Sequence, residues 1–177
     1  MRTAYKCRAY PDPEQASVLN RTFGCVRVVW NRTLAWRRAR YRDGQASTSY
    51  AQASAYLTAM KATEELGWLN EVSSVPLQQA IRHQQAAFAG FFAGRARYPR
   101  NKSRAGRQCA EYTRSGFRYR DGQLLLAKMS NPLAFAWSWP DVDPVDVRHP
   151  GTSRVRSAVK QEPRPARAAI PVLQDGE

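Results

Sequence analysis

The chain has 177 residues, enough for one ordinary domain or two small ones with a buried core, and its aromatic content of 11% excludes a chain disordered throughout. Its formal charge of +14 and isoelectric point of about 10.4 call for a polyanionic partner, which points to nucleic acid before an anionic membrane surface. No apolar run approaches the roughly 20 residues of a spanning helix, and 1-MRTAYKCRAYPDPEQ-15 lacks the apolar core of a secretory signal, so the expected location is the cytoplasm, with no membrane partner.

The first element is predicted over residues 3–10, where Lys6 and Arg8 alternate with Tyr5, Cys7 and Ala9 as in a strand. A strong helix start follows in 11-PDPEQ-15. Asp12 is a natural cap, Pro13 suits the first helical position, and Gln15 completes a capping box. Leu19, Phe23, Val26, Trp30 and Leu34 then recur at spacings of three and four, giving one apolar stripe that Asp43-Gly44 ends. A second helical pattern begins near Ser49 and runs through Leu57 and Met60 toward Leu66, stopping at Gly67. A third follows Ser73-Ser74, with Pro76 in its first turn and Leu77, Ile81, Phe88 and Phe91/Phe92 as its buried side.

Beyond Arg104 the period changes from helical to alternating. Residues 108–113 read as a strand, 117-FRYRDGQLLLAK-128 as a hairpin turning at Asp121-Gly122, and 132–139 as a further strand. The expected class is α+β: about three helices inserted after the first strand of a small antiparallel sheet or barrel, with strand 3–10 pairing to the later meander. From about Asp141 the chain turns rich in Pro, Arg and Ala, contains no aromatic residue, and reads as a disordered tail. The organisation is therefore 1–10 first strand, 11–104 helical block, 105–140 β-meander and 141–177 tail. The tail's Arg148, Arg154, Arg156, Lys160, Arg164 and Arg167 are matched in number by Asp141, Asp143, Asp146, Glu162, Asp175 and Glu177, so the excess positive charge lies in the folded part.

That excess is concentrated in 91-FFAGRARYPRNKSR-104, where Arg95, Arg97, Arg100, Lys102 and Arg104 surround Tyr98 without one acid. A solvated surface normally mixes both signs. Arginine is the residue of bidentate phosphate contact, and an adjacent aromatic can stack on bases. Arg32, Arg37 and Arg38 on the first helix and Arg82 on the third are further candidates, as are Lys6 and Arg8 on the first strand; Arg37-Arg38-Ala39-Arg40 also complements a helix C-terminus.

No catalytic centre is read from the residues. The histidines are His83 and His149, neither beside a nucleophile. Asp12, Asp43 and Asp121 have capping or turn roles, and no glycine-rich phosphate cradle occurs. Cys7, Cys25 and Cys109 are far apart with no CxxC pair, which argues against disulfides and against a zinc site within this chain. No metal site and no cofactor are expected.

Three segments in this order resemble the N-terminal part of the TnpB/OrfB-type transposase-associated proteins of bacterial insertion sequences. They are 10-YPDPEQASVLNRTFGCVRVVWNRTLAWRR-38, 75-VPLQQAIRHQQAAFAGFFAGRARYPRNKSR-104 and 115-SGFRYRDGQLLLAKM-129, covering most of residues 3–139. The resemblance implies a region labelled helix-turn-helix in that family, within RNA-guided DNA endonucleases related to the Cas12 effectors. There a small β-barrel interrupted by a helical block grips guide RNA and the guide–target duplex, ahead of a RuvC-like nuclease domain with three catalytic acids and a zinc ribbon. The protein would hold the backbone while base pairing reads the sequence.

This chain departs from the pattern by ending where the nuclease domain would begin, with neither the acid triad nor paired CxxC motifs. The composition change after Trp139 resembles a shift of reading frame in the parent gene. The expected function is a nucleic-acid-binding fragment without cutting activity of its own, its partner guide-like RNA and/or DNA. The competing reading is a sequence-specific helix-turn-helix regulator of duplex DNA. Oligomeric state is left open.

Overall fold

The computed structural model describes residues 8–45, 47–120 and 123–136, together with the backbone of 152–156. The class is α+β: three helices and short antiparallel strand pairs. Lys6, the Asp121-Gly122 turn and the expected strand ends at 3–7 and 137–139 lie outside the described residues.

Helix α1, Pro13–Arg42, starts as its capping residues require. The Asp12 carboxylate accepts from the Gln15 N–H at 2.7 Å while the Gln15 amide accepts from the Asp12 N–H, so two otherwise orphaned donors are satisfied. Gln15 then also donates to the carbonyls of Asn131 and Pro132, tying the start of the helix to the β region. The stripe Leu19, Phe23, Val26, Trp30 and Leu34 is buried along its whole length. Thirty residues make α1 about 45 Å long, the longest rod in the structure.

Helix α2, Tyr50–Ala62, opens with a second capping box between Ser49 and Gln52 and buries Ala53, Leu57 and Met60. It stops earlier than the periodicity predicts. The Thr63 hydroxyl donates to the Met60 carbonyl and accepts from the Leu66 N–H, and its extended backbone turns the chain out of the helix. A 3-10 turn, Gly67–Asn70, then delivers Leu66 and Leu69 to the same core.

Helix α3, Ser74–Phe92, is capped by Ser73 and buries Leu77, Ile81 and Phe88 as expected. The expected burial of its last two residues is corrected: Phe91 is half-buried and Phe92 is 68% exposed. The stripe's remaining position is held by Gln84, fully buried, which donates to the Trp30 carbonyl of α1 at 2.9 Å.

Both α1 and α3 end in the same way. Gly44 and Gly94 adopt left-handed conformations (φ +71 and +69), with the Gln45 N–H returning to the Arg40 carbonyl and the Arg95 N–H to that of Gly90. A Cβ at position 94 would meet no neighbour, so the cost of Gly94→Ala is conformational. We expect about 1 kcal/mol lost in urea unfolding with the m-value unchanged.

Strand β1, Arg8–Tyr10, pairs antiparallel with β5, Ala134–Ala136, confirming the expected return of the later chain to the first strand. The hairpin is present as β3, Phe117–Arg120, against β4, Gln123–Leu126, and an isolated bridge between Leu124 and Leu133 joins it to β5. Strand β2, Cys109–Thr113, departs from a meander. Its partner is β6, Thr152–Arg156, which lies inside the segment expected to be disordered. The composition of that segment hid a five-residue alternating run, Thr-Ser-Arg-Val-Arg, whose backbone an edge strand can recruit. β2 packs on α3, with Tyr112 buried between the strand and the helices.

Candidate nucleic-acid interface

After Gly94 the chain leaves α3 as a strap, residues 95–108, that folds back across the middle of α1. Three hydrogen bonds fasten it. The Trp30 indole N–H donates to the Arg100 carbonyl at 2.9 Å. The Asn31 amide donates to the Lys102 carbonyl at 2.9 Å and accepts from the Lys102 N–H at 2.8 Å, replacing the paired strand that this irregular backbone lacks. Above the clasp the Lys102 ammonium sits 4.5 Å from the centre of the Trp30 ring, a cation–π contact that fixes the lysine stem. Pro99 is buried at the same crossing. Farther along, the Gln108 amide closes the strap on itself through the carbonyls of Ser103, Arg104 and Gly106.

A strap held by its backbone leaves its side chains outside. Arg95, Arg97, Arg100 and Arg104 are all exposed and in no ion pair among the described residues. No acidic residue occurs between Glu71 and Glu111, so the cluster has no counter-charge within its own stretch of chain. Arg107, exposed next to them, extends the row beyond Arg104; it continues the single-sign run by three residues and is legible in the sequence on that ground.

Tyr98 connects strap and helices. Its ring meets Phe88 and Phe91 edge-on, at centroid distances of 5.5 and 5.2 Å, and Arg38 of α1 lies over it at 5.2 Å. Arg38 is thereby drawn into the cluster. Arg37, its neighbour, is not at the surface. It is buried, with one guanidinium nitrogen donating to the Thr48 carbonyl and another to the Gln85 amide oxygen, and its charge rests against the Phe88 ring at 5.1 Å. Burial lowers its pKa from the ordinary value, with Tyr98 acting the other way. Its role in the fold is to bind the α1–α2 connection to α3.

The other candidates stand apart. Arg32 forms an ion pair with Glu65, Arg82 lies over the Tyr50 ring at 5.6 Å, and Arg8 is exposed on β1 and makes none of the strap's contacts. The structure therefore joins Arg38, Tyr98, Arg95, Arg97, Arg100, Lys102 and Arg104 and leaves Arg8, Arg32 and Arg82 outside. The residues that sequence reasoning missed are Trp30 as a clasp rather than core alone, and Asn31. Their signal was their position inside the Trp-Asn-Arg run, since an asparagine on a helix beside a buried tryptophan is well placed to hold irregular backbone.

Four acids of the described region are engaged elsewhere. Asp12 caps α1, Glu65 and Glu71 pair with Arg32 and Arg21, and buried Glu111 of β2 meets His83 of α3 at 3.1 Å. Burial, aided by Glu71, pushes the Cys25 thiol up to about 11, so at neutral pH it stays a protonated member of the core. Among the described residues no helix is long and apolar enough to cross a membrane.

A family model described as a helix-turn-helix domain, of the OrfB type, matches residues 1–46. The chain is 57% identical over 141 residues to a Streptomyces pristinaespiralis protein named as a proposed RNA-guided DNA endonuclease, covering 79% of this chain and 35% of that one. It is 31% identical over 109 residues to InsQ of Escherichia coli K12, which bears the same description, covering 62% and 27%. It is 34% identical over 116 residues to the virulence protein VsdF of Salmonella dublin, covering 60% of this chain and 98% of that one. The chain thus spans about a third of the length of the first two relatives. On these sequence matches the chain belongs to the TnpB/OrfB-type family of bacterial insertion sequences.

Proposed function

We propose that the chain grips the sugar–phosphate backbone of a guide-like RNA, or of the duplex it forms with DNA, in the cytoplasm, and supplies binding rather than strand cutting to a TnpB/OrfB-type system. One observation carries this reading: a strap of exposed arginines in no ion pair among the described residues, fastened by its own backbone to Trp30 and Asn31. Fixing the backbone while leaving the guanidinium groups outside lowers the ordering cost that a free basic segment would meet on binding. Two relatives are named for RNA-guided DNA cleavage, and an arginine row suited to phosphate contact fits a division in which pairing carries the specificity.

The description of the family model favours a second reading, a helix-turn-helix reader of duplex DNA. The described residues of its matched span, however, form one strand and one continuous helix, and α2, the next helix, begins at Tyr50 and bears Lys61 as its one cation. A recognition helix of that composition offers little to phosphates or to guanine. Competition between a structured RNA hairpin and B-form DNA of equal length separates the two. We expect the hairpin to displace the DNA, and all DNA sequences to compete equally. Preference for one duplex sequence over its scrambled form would favour the regulator.

A further inference from the structure

The C-terminal ends of α1 and α3 enclose a cleft of about 390 Å³ that the strap closes on one side. Of the five large exposed apolar or aromatic side chains among the described residues, three line it: Tyr41 at 78% exposure, Phe92 at 68% and Tyr98 at 37%. Exposing such rings costs hydration free energy, and here they converge on one concavity instead of scattering. Phe88 forms its floor, and Tyr98 is braced edge-on against it. The charge at the rim is of one sign: Arg38 and Arg42 line the cleft and no acid does.

We propose that this cleft receives one unstacked base of a single-stranded stretch of nucleic acid, with Arg38 and Arg42 at its flanking phosphates. The inference rests on the backbone-gripping reading and deepens it. Phe92 and Tyr41 supply the stacking faces, as aromatic platforms do for splayed bases. Ser47, Thr48 and Gln85, whose amide oxygen already accepts from Arg37, bring polar groups to the wall. An apolar peptide or a lipid chain would fill the same volume, but neither uses a cationic rim beside an arginine row that begins three residues past Phe92.

The test uses the full chain, single-stranded oligonucleotides in RNA and DNA forms carrying 2-aminopurine at one position, and matched oligonucleotides abasic there. For the native chain we expect fluorescence quenching on binding and an affinity loss of roughly 5- to 150-fold on removing the base. The double variant Tyr41→Ala/Phe92→Ala changes exposed rings and keeps the fold. It should bind both oligonucleotides as weakly as the native chain binds the abasic one, with the salt dependence unchanged. Equal affinity of the native chain for base-bearing and abasic oligonucleotides, with steep salt dependence kept, overturns the base site alone. Base-dependent binding with shallow salt dependence keeps the base site and overturns the strap. A stronger base effect in the RNA arm than in the DNA arm identifies RNA as the source of the base.

Discussion

Replacing Arg95, Arg97, Arg100 and Arg104 together by alanine is expected to weaken binding to an RNA hairpin by about 100- to 1,000-fold at 0.1 M salt. Each of the four is exposed and without an ion-pair partner among the described residues, so no internal contact is lost with it. Removing like charges from one short strap relieves repulsion, and the unfolding midpoint should hold or rise slightly. That combination of lost affinity and kept stability is the signature of a binding surface. Arg37→Ala gives the contrast: the same residue type, buried and bonded to Thr48 and Gln85, should cost about 2 to 3 kcal/mol of stability before any effect on binding is measurable. Native-gel or anisotropy titration beside urea unfolding reads both outcomes.

The second large effect concerns the clasp. Trp30→Ala empties a buried ring, removes the donor to the Arg100 carbonyl and leaves Lys102 without its aromatic support. A loss of about 3 to 5 kcal/mol is expected, large against the marginal stability of a domain this size. Asn31→Ala is the more telling change, because it leaves the core filled. It strips both hydrogen bonds from the Lys102 backbone, a cost of about 1 to 3 kcal/mol, and frees the strap while keeping every cation. Amide exchange at Lys102 should accelerate, and RNA affinity should fall about tenfold although net charge is unchanged, since a loose basic segment must be ordered on binding. Undiminished affinity in a folded Asn31→Ala protein would show that the arginines act as a diffuse charge and that their placement is immaterial.

The helices were legible because their signals are local. Asp12 with Gln15, Ser49 and Ser73 mark the starts, glycines at 44 and 94 mark two of the ends, and the stripe from Leu19 to Leu34 is periodic enough to identify the buried face. Thr63 is a weaker stop signal than glycine, so the early end of α2 was missed. The β1–β5 pairing was accessible from alternation and order, whereas β2 finding β6 depended on a partner some 40 residues away in a polar, proline-rich segment, where pattern carries little information. The site shows the same division. The arginine row is written in consecutive letters. The burial of Arg37, the exposure of Phe92 and the Asn31 clasp arise from how α1, α3 and the strap meet, which no window of sequence contains.

The dependence of RNA affinity on salt tests the central claim most directly. If about six of the strap's six cations and Arg38 beside them meet phosphates, log K against log salt should fall with a slope near −5. A slope of about −1 would contradict it, because a surface that releases so few counterions is not holding a sugar–phosphate chain.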